Sequence, residues 1–345
     1  MSARSGRFLL YAPNVHTGGG AVLLQALLNA WPSDFPLVAW LDSRIQARLS
    51  LPANAQIEWV RPTLSSRLMA ELTLARRAGG RDRVLCFNGI PPLLPNKAEL
   101  IVFQQNRNYL GLVHLNSFPW RTRQRLRFEQ TVARLFRHRC LTYWVQTPSM
   151  ARDLQRWFGD EPVRIRVLPF CSSRGLVLCD TAKQWDFIYV ADGEAHKNHR
   201  RLVEAWVLLA RQGLKPTLAL TLSDRDAKLI AWINHQVREH ELQISNLGHL
   251  PHDKALALYG QSLALMFPSV SESFGLPLIE ARQVGLPILA SELDFVRDVC
   301  EPVHSFDPYS SVSIARAVRR FLGKGESPVE PVSADIFLDN VINNT

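Results

Sequence analysis

Residues 263–291 read LALMFPSVSESFGLPLIEARQVGLPILAS, and their punctuation sets the fold class. An apolar run over 263–267 stops at Pro268, which cannot donate to a strand ladder. A loop carrying Glu272, Gly275 and Pro277 follows, and from Leu276 the spacing turns helical to about Val284. A second apolar run, over 287–290, comes after Gly285. Short apolar strands joined through helices indicate a parallel sheet.

The same alternation extends upstream. Strands are predicted over 187–190, 217–221 and 244–247, with helices over 200–211, 226–240 and 253–261. In the first half, strands are predicted over 8–12, 36–41, 57–60, 84–87, 100–103 and 143–145, with helices over 21–31 and 65–77. The fold class is therefore α/β, with two Rossmann-like, doubly wound units in series. A length of 345 residues suits two domains. The expected division is a first unit over 1–169, a linker over 170–184, a second unit over 185–333 and a tail over 334–345. Ile336, Phe337, Val341 and Ile342 give the tail the spacing of a short final helix.

With 47% apolar residues, 9 Trp and 16 Phe, the chain has ample core material, which excludes disorder and a disulfide scaffold. No apolar run reaches the length of a membrane span. The run in MSARSGRFLLYAPN is too short for a secretory core. Five scattered cysteines (Cys86, Cys140, Cys171, Cys179, Cys300) without a C-x-x-C pair predict a reducing, cytoplasmic setting and no structural zinc.

The net charge of +9 hides an asymmetry. Residues 1–169 hold 23 basic and 10 acidic side chains, and residues 170–345 hold 17 and 21. The first half is thus suited to an anionic partner. Much of the excess lies in WRTRQRLRFEQTVARLFRHRC, Trp120 to Cys140, where seven arginines meet one acid, Glu129. The spacing predicts an amphipathic helix with Phe128, Val132, Leu135 and Phe136 toward a core. Arg121, Arg123, Arg125, Arg127, Arg134 and Arg137 then form either a solvated basic face or a patch for anionic headgroups or a lipid diphosphate. Motifs for nucleic-acid recognition are absent from the sequence.

Three stretches are suited to chemistry. Gly18-Gly19-Gly20 follows a strand and opens a helix, where backbone can approach a phosphate; a plain tight turn is the simpler reading. YVADGEAHKNH, Tyr189 to His199, brings Lys197 to a strand-to-helix turn, where an ammonium group reinforces the positive end of a helix. The strongest is the opening stretch. Glu272 lies in its loop and Glu280 in the first turns of its helix, and the N–H groups of Phe274, Gly275 and Leu276 lie where a helix start leaves donors unpaired. Two carboxylates around such a start suit a polyol, although both could simply serve the helix.

The pair Glu272 and Glu280, with SFGLPLI within the interval, resembles the E-x(7)-E motif of family 4 glycosyltransferases, retaining nucleotide-sugar enzymes of the GT-B fold. The likeness extends to FPS before it, to EA and GLPILAS after it, to the Lys197-Asn198 turn, and more loosely to VQTPSMARDL in the first half. The resemblance implies that Glu280 holds the ribose of a nucleotide and Glu272 contacts the transferred sugar. It also implies that the N–H groups of Phe274 to Leu276 meet sugar and diphosphate, Lys197 stabilises the departing diphosphate, and Gly19 and Gly20 approach from the other unit. Lys197 and Glu272 are then the catalytic pair, and no metal or other cofactor is implied. Asp224-Arg225-Asp226, which spells the DXD of metal-dependent transferases, reads as a helix cap.

Two departures stand out. Asp192 occupies the place where many members carry Arg, with Arg200 and Arg201 as nearby substitutes. FQQNRNYLG occupies the place where many carry a His, which makes Asn106 the expected polar contact to the donor. The implied activity is retaining transfer of a sugar to a hydroxyl of a glycan or lipid-linked acceptor in cell-envelope polysaccharide synthesis, at the cytoplasmic face of the inner membrane. The alternatives are an inert nucleotide-sugar-binding accessory protein and a GT-B sugar-nucleotide epimerase.

Overall fold

The computed structural model describes residues 6–87, 89–111, 120–140, 142–171, 182–325 and 329–343. Most of the expected linker, 170–184, lies outside them.

The first half runs β1 (Phe8–Ala12), α1 (Gly18–Asn29), β2 (Leu37–Asp42), β3 (Ala55–Val60), α2 (Leu64–Arg77), β4 (Arg83–Cys86), β5 (Glu99–Phe103), α3 (Trp120–Phe136), β6 (Thr142–Val145), α4 (Pro148–Phe158) and β7 (Arg164–Val167). Its seven strands form one parallel sheet in the order β3-β2-β1-β4-β5-β6-β7. The second half runs β8 (Trp185–Tyr189), α5 (His199–Arg211), β9 (Leu218–Leu220), α6 (Ala227–His240), β10 (Ile244–Asn246), α7 (His252–Gly260), β11 (Ser262–Phe267), α8 (Leu276–Gln283), β12 (Ile288–Ser291), α9 (Asp294–Arg297), β13 (His304–Phe306), α10 (Ser311–Phe321) and α11 (Ala334–Asn343). Its six strands form a second parallel sheet, β10-β9-β8-β11-β12-β13. Both sheets follow the doubly wound order, reversing direction between β1 and β4 and again between β8 and β11. Ligands of such sheets bind beyond the strand C-termini at the reversal.

Helices cover both faces of each sheet, so central strands are apolar on both sides. Leu9, Leu10 and Ala12 of β1 and Phe187, Ile188 and Tyr189 of β8 are fully buried. Leu276 packs against the cores of both halves, at the seam between them. Among the described residues no helix is long and apolar enough to cross a membrane.

The basic segment is helical but turned away from its expected orientation. Its core-facing residues are Leu126 and Ala133, while Phe128 and Leu135 are 69% and 67% exposed. The two-residue offset follows the neighbours. Just past α3 on the same inner side comes Arg137, whose guanidinium is buried against Trp157 and Phe158 and bonds Glu161 at 2.7 Å and the Trp157 carbonyl at 2.7 Å. Arg137 therefore does not belong to the surface patch. Arg125 pairs with Glu129, one turn along the helix, at 3.8 Å.

Candidate active site

Three loops at strand C-termini build the site. The turn after β8 is locked before any ligand arrives. Asn198 takes the left-handed conformation at φ 62°, which Asn tolerates better than most residues. Its carboxamide donates to the carbonyls of Pro268 at 3.1 Å and Pro308 at 2.7 Å. The His196 carbonyl accepts from the Val270 amide at 2.8 Å. Tyr189, at the end of β8, donates its hydroxyl to the Lys197 carbonyl at 2.8 Å. The lysine turn and the loop after β11 thus form one stitched unit.

Within it, Lys197 Nζ donates to Glu272 Oε1 at 2.8 Å, and Ser269 Oγ donates to the same oxygen at 2.6 Å. Both ion-pair side chains are largely buried, 18% and 12% exposed. Burial alone would raise the Glu272 pKa, but Lys197 and His196 outweigh it and hold the carboxyl below its ordinary value. Burial would likewise lower Lys197, and Glu272, Asp192 and Glu194 together raise it. The pair is ionised at neutral pH. Glu194 is raised, by lost solvation first and then by the like charge of Asp192.

Gly275 then starts α8 from the left-handed region at φ 72°, with Pro277 in the first turn. Eight residues beyond Glu272 in sequence, Glu280 meets different partners. Tyr259, fully buried, donates its hydroxyl to Glu280 Oε2 at 2.9 Å, and His252 Nε2 lies 2.7 Å from Oε1. The hydrogen bond to Glu280 raises the His252 pKa, against the pull of burial.

From the first half, the turn that opens α1 closes on α8. A Cβ added at Gly19 would lie 3.2 Å from Leu276 Cδ1, and one at Gly20 would lie 3.5 Å from Gln105 Oε1. Lys197, Glu272, Gly275, Leu276 and Gly19 are therefore brought to one seam.

The comparisons with known proteins bear on the family and the fold. Residues 180–334 match the family model of glycosyl transferases group 1. The second half of the chain is a glycosyl transferases group 1 domain. Over 154 residues, 44% of this chain, it is 31% identical to the serotype-specific mannosyltransferase WbdA of Escherichia coli. The O-antigen chain mannosyltransferase B of the same organism is 29% identical over 116 residues, 32% of this chain. The chain spans only 19% and 30% of the length of these two relatives. Among solved structures, Anabaena HepE in complex with UDP and glucose has a TM-score of 0.69 at 13% identity, covering 92% of this chain and 90% of that one. WaaG, a glycosyltransferase involved in lipopolysaccharide biosynthesis, has a TM-score of 0.67 at 14% identity, covering 92% of each chain. The resemblance to family 4 glycosyltransferases stands, and the architecture is GT-B.

Several side chains named from the sequence have partners of their own. Neither proposed substitute for the missing arginine faces Lys197. Arg200 stacks over Trp232 at 4.6 Å, and Arg201 pairs with Glu204 at 2.8 Å. Asn106 turns its carboxamide oxygen back onto the Asn108 amide at 3.0 Å, capping its own turn. The neighbour, Arg107, is the residue that crosses to the domain. Asp226 accepts from the Ser223 hydroxyl at 3.1 Å and amide at 3.3 Å, which is the cap expected of the DXD-like run. Asn198 and Ser269 entered the sequence reading only as parts of the Lys197-Asn198 turn and of FPS, without roles of their own. Tyr259 and His252 carry no local signal.

Proposed function

We propose that the chain transfers a sugar, with retention, from a nucleotide diphosphate sugar to a hydroxyl of a glycan or lipid-linked acceptor in the assembly of a cell-surface polysaccharide. The observation that carries this reading is the buried Lys197–Glu272 pair beside the N-terminus of α8, at the point where the second sheet reverses. Negative charge grows on the departing diphosphate as the anomeric bond breaks. Lys197 and the amides that open α8 supply preorganised positive potential for it. Glu272 then faces the sugar, and Glu280 accepts from the ribose hydroxyls. The acceptor hydroxyl attacks from the face the diphosphate leaves and passes its proton to the departing phosphate oxygen, so no separate nucleophile is required of the protein. The UDP held by HepE and the mannosyl transfer named for WbdA support a nucleotide-sugar donor.

The test is release of free nucleotide diphosphate from a panel of UDP-, GDP- and ADP-sugars with a polysaccharide or lipid-linked acceptor. Turnover that needs both Lys197 and Glu280 supports the assignment; equal turnover in Lys197→Ala and Glu280→Ala overturns it. A second reading, an inert nucleotide-sugar binder, draws on the three carboxylates, Asp192, Glu194 and Glu272, that act on one lysine. Binding without release of diphosphate selects that reading.

The anionic partner of the first half is, in this proposal, the cytoplasmic face of the inner membrane. Trp120, Phe128 and Leu135 are exposed along one side of α3, among the exposed Arg121, Arg127 and Arg134. Apolar side chains flanked by arginine suit an interface rich in anionic lipid. Co-sedimentation with vesicles of anionic lipid but not with zwitterionic vesicles supports the placement; indifference to lipid charge overturns it.

A further inference from the structure

The two halves are joined at the site by hydrogen bonds that neither half needs for its own fold. Arg107 follows β5 at the start of a short turn. Its Nε donates to Asp153 Oδ2 at 2.6 Å, and its Nη2 bonds the same oxygen. The remaining arm, Nη1, crosses the seam and donates to the carbonyl of Glu272 at 3.0 Å. Thr147, which caps α4, donates its hydroxyl to the next carbonyl, that of Ser273, at 3.1 Å. Alongside, the Ser149 amide donates to Asp298 Oδ2 at 2.7 Å. Arg107 and Asp153 are 19% and 8% exposed, so the guanidinium is held in one orientation with little water around it.

We infer that Arg107 is a positioning residue: through Nη1, and together with Thr147, it fixes the main chain of Glu272 from the opposite half. The inference rests on the reading above, in which Glu272 faces the donor sugar. In the free protein the Glu272 carboxylate is held by Lys197 and Ser269. A diphosphate draws Lys197 away and leaves the carboxylate with one fewer partner. The carbonyl bonds from Arg107 and Thr147 do not depend on Lys197 and persist. They set where the carboxylate stands while the anomeric bond breaks, and a misplacement of about 1 Å there costs on the order of 100-fold in rate. Arg107 therefore acts on kcat far more than on donor affinity.

Hydrogen exchange of the free protein tests the hold without any donor. In Arg107→Met the amides of 270–275 are expected to exchange about tenfold faster, with those of β8 and β11 unchanged. Thr147→Ser keeps the hydroxyl and is expected to match the natural protein. Because Arg107→Met strands Asp153, the double variant Arg107→Met with Asp153→Asn is measured beside it and is expected to show the same exchange. Kinetics with the best sugar nucleotide of the panel test the consequence. In both variants kcat is expected to fall about 10- to 100-fold with KM within about threefold, and Arg107→Lys, with no third arm, is expected not to restore it. Unchanged exchange at 270–275, or an unchanged kcat with raised KM, overturns the role of Arg107. A natural protein that turns over no sugar nucleotide overturns the transferase reading instead, and exchange still decides whether Arg107 holds the loop.

Discussion

Three buried acids of the first half, Asp42, Glu71 and Asp82, and the two carboxylates of the site are held by different kinds of donor. For the first three, main-chain amides share the holding with side chains. Asp42 accepts from the Arg44 amide, Asp82 from the amides of Arg7 and Gly79, and Glu71 from those of Leu93 and Leu94. In the second half, Glu272 and Glu280 are held by Lys197, Ser269, Tyr259 and His252, all through side chains. A main-chain amide cannot withdraw without disrupting its segment, whereas a side chain rotates away within its rotamers. The first set maintains the fold, and the second is free to exchange its partners for a ligand. Charge and burial alone do not separate the two sets; the chemistry of the donors does.

The largest effect expected from this contrast is at Lys197. Lys197→Ala should lower turnover about 100- to 1,000-fold, as for loss of a preorganised electrostatic group. It should also destabilise the fold by about 3 kcal/mol, because Glu272 is left buried without its counter-ion. Adding Glu272→Gln should recover stability in urea titration but not turnover; recovery of both would erase the distinction between the sets. Next, Glu71→Gln should cost about 2 kcal/mol in the same titration, through amides and a Tyr11 hydroxyl left poorly paired, with turnover per folded molecule unchanged. A smaller effect is expected from Tyr259→Phe, which frees Glu280 to wander and should weaken UDP or GDP binding about tenfold by calorimetry.

The smallest is a pH dependence at His252. Its pKa is raised above the ordinary 6.5 by Glu280, so its contribution to stability is complete below about 6.5 and is lost as pH rises through the raised value. Over the same interval Glu280 is released for a ribose, and nucleotide binding should tighten by less than tenfold. His252→Gln should flatten that profile, and an unchanged slope would show that another group titrates.

The central strands and the two carboxylates were legible because their signals are local: continuous apolar runs, a proline stop, a glycine at the helix start. β7 and β13 were not. Arg164-Ile165-Arg166-Val167 is an edge strand with charged side chains, and His304-Ser305-Phe306 is too short and polar to stand out. The inner side of α3 was misread by two residues, since Leu126 and Ala133 give a weaker apolar signal than Phe128 and Leu135. Tyr259, His252 and Arg107 lie 21, 28 and 165 residues from the carboxylate or carbonyl they serve, a proximity that only the folded chain creates.

Gly19 and Leu276 set one more property of the molecule. With 3.2 Å between an added carbon at Gly19 and Leu276 Cδ1, an alanine there presses on the leucine tip, which must give by a few tenths of an ångström. Spreading the lobes wets an isobutyl group shared by two cores, a penalty of at most about 1.5–3 kcal/mol. The resting angle between the lobes is thereby biased toward shut by this aliphatic tip together with the polar bonds of Arg107, Thr147 and Ser149, and trimming or enlarging the tip tunes how often the crevice breathes.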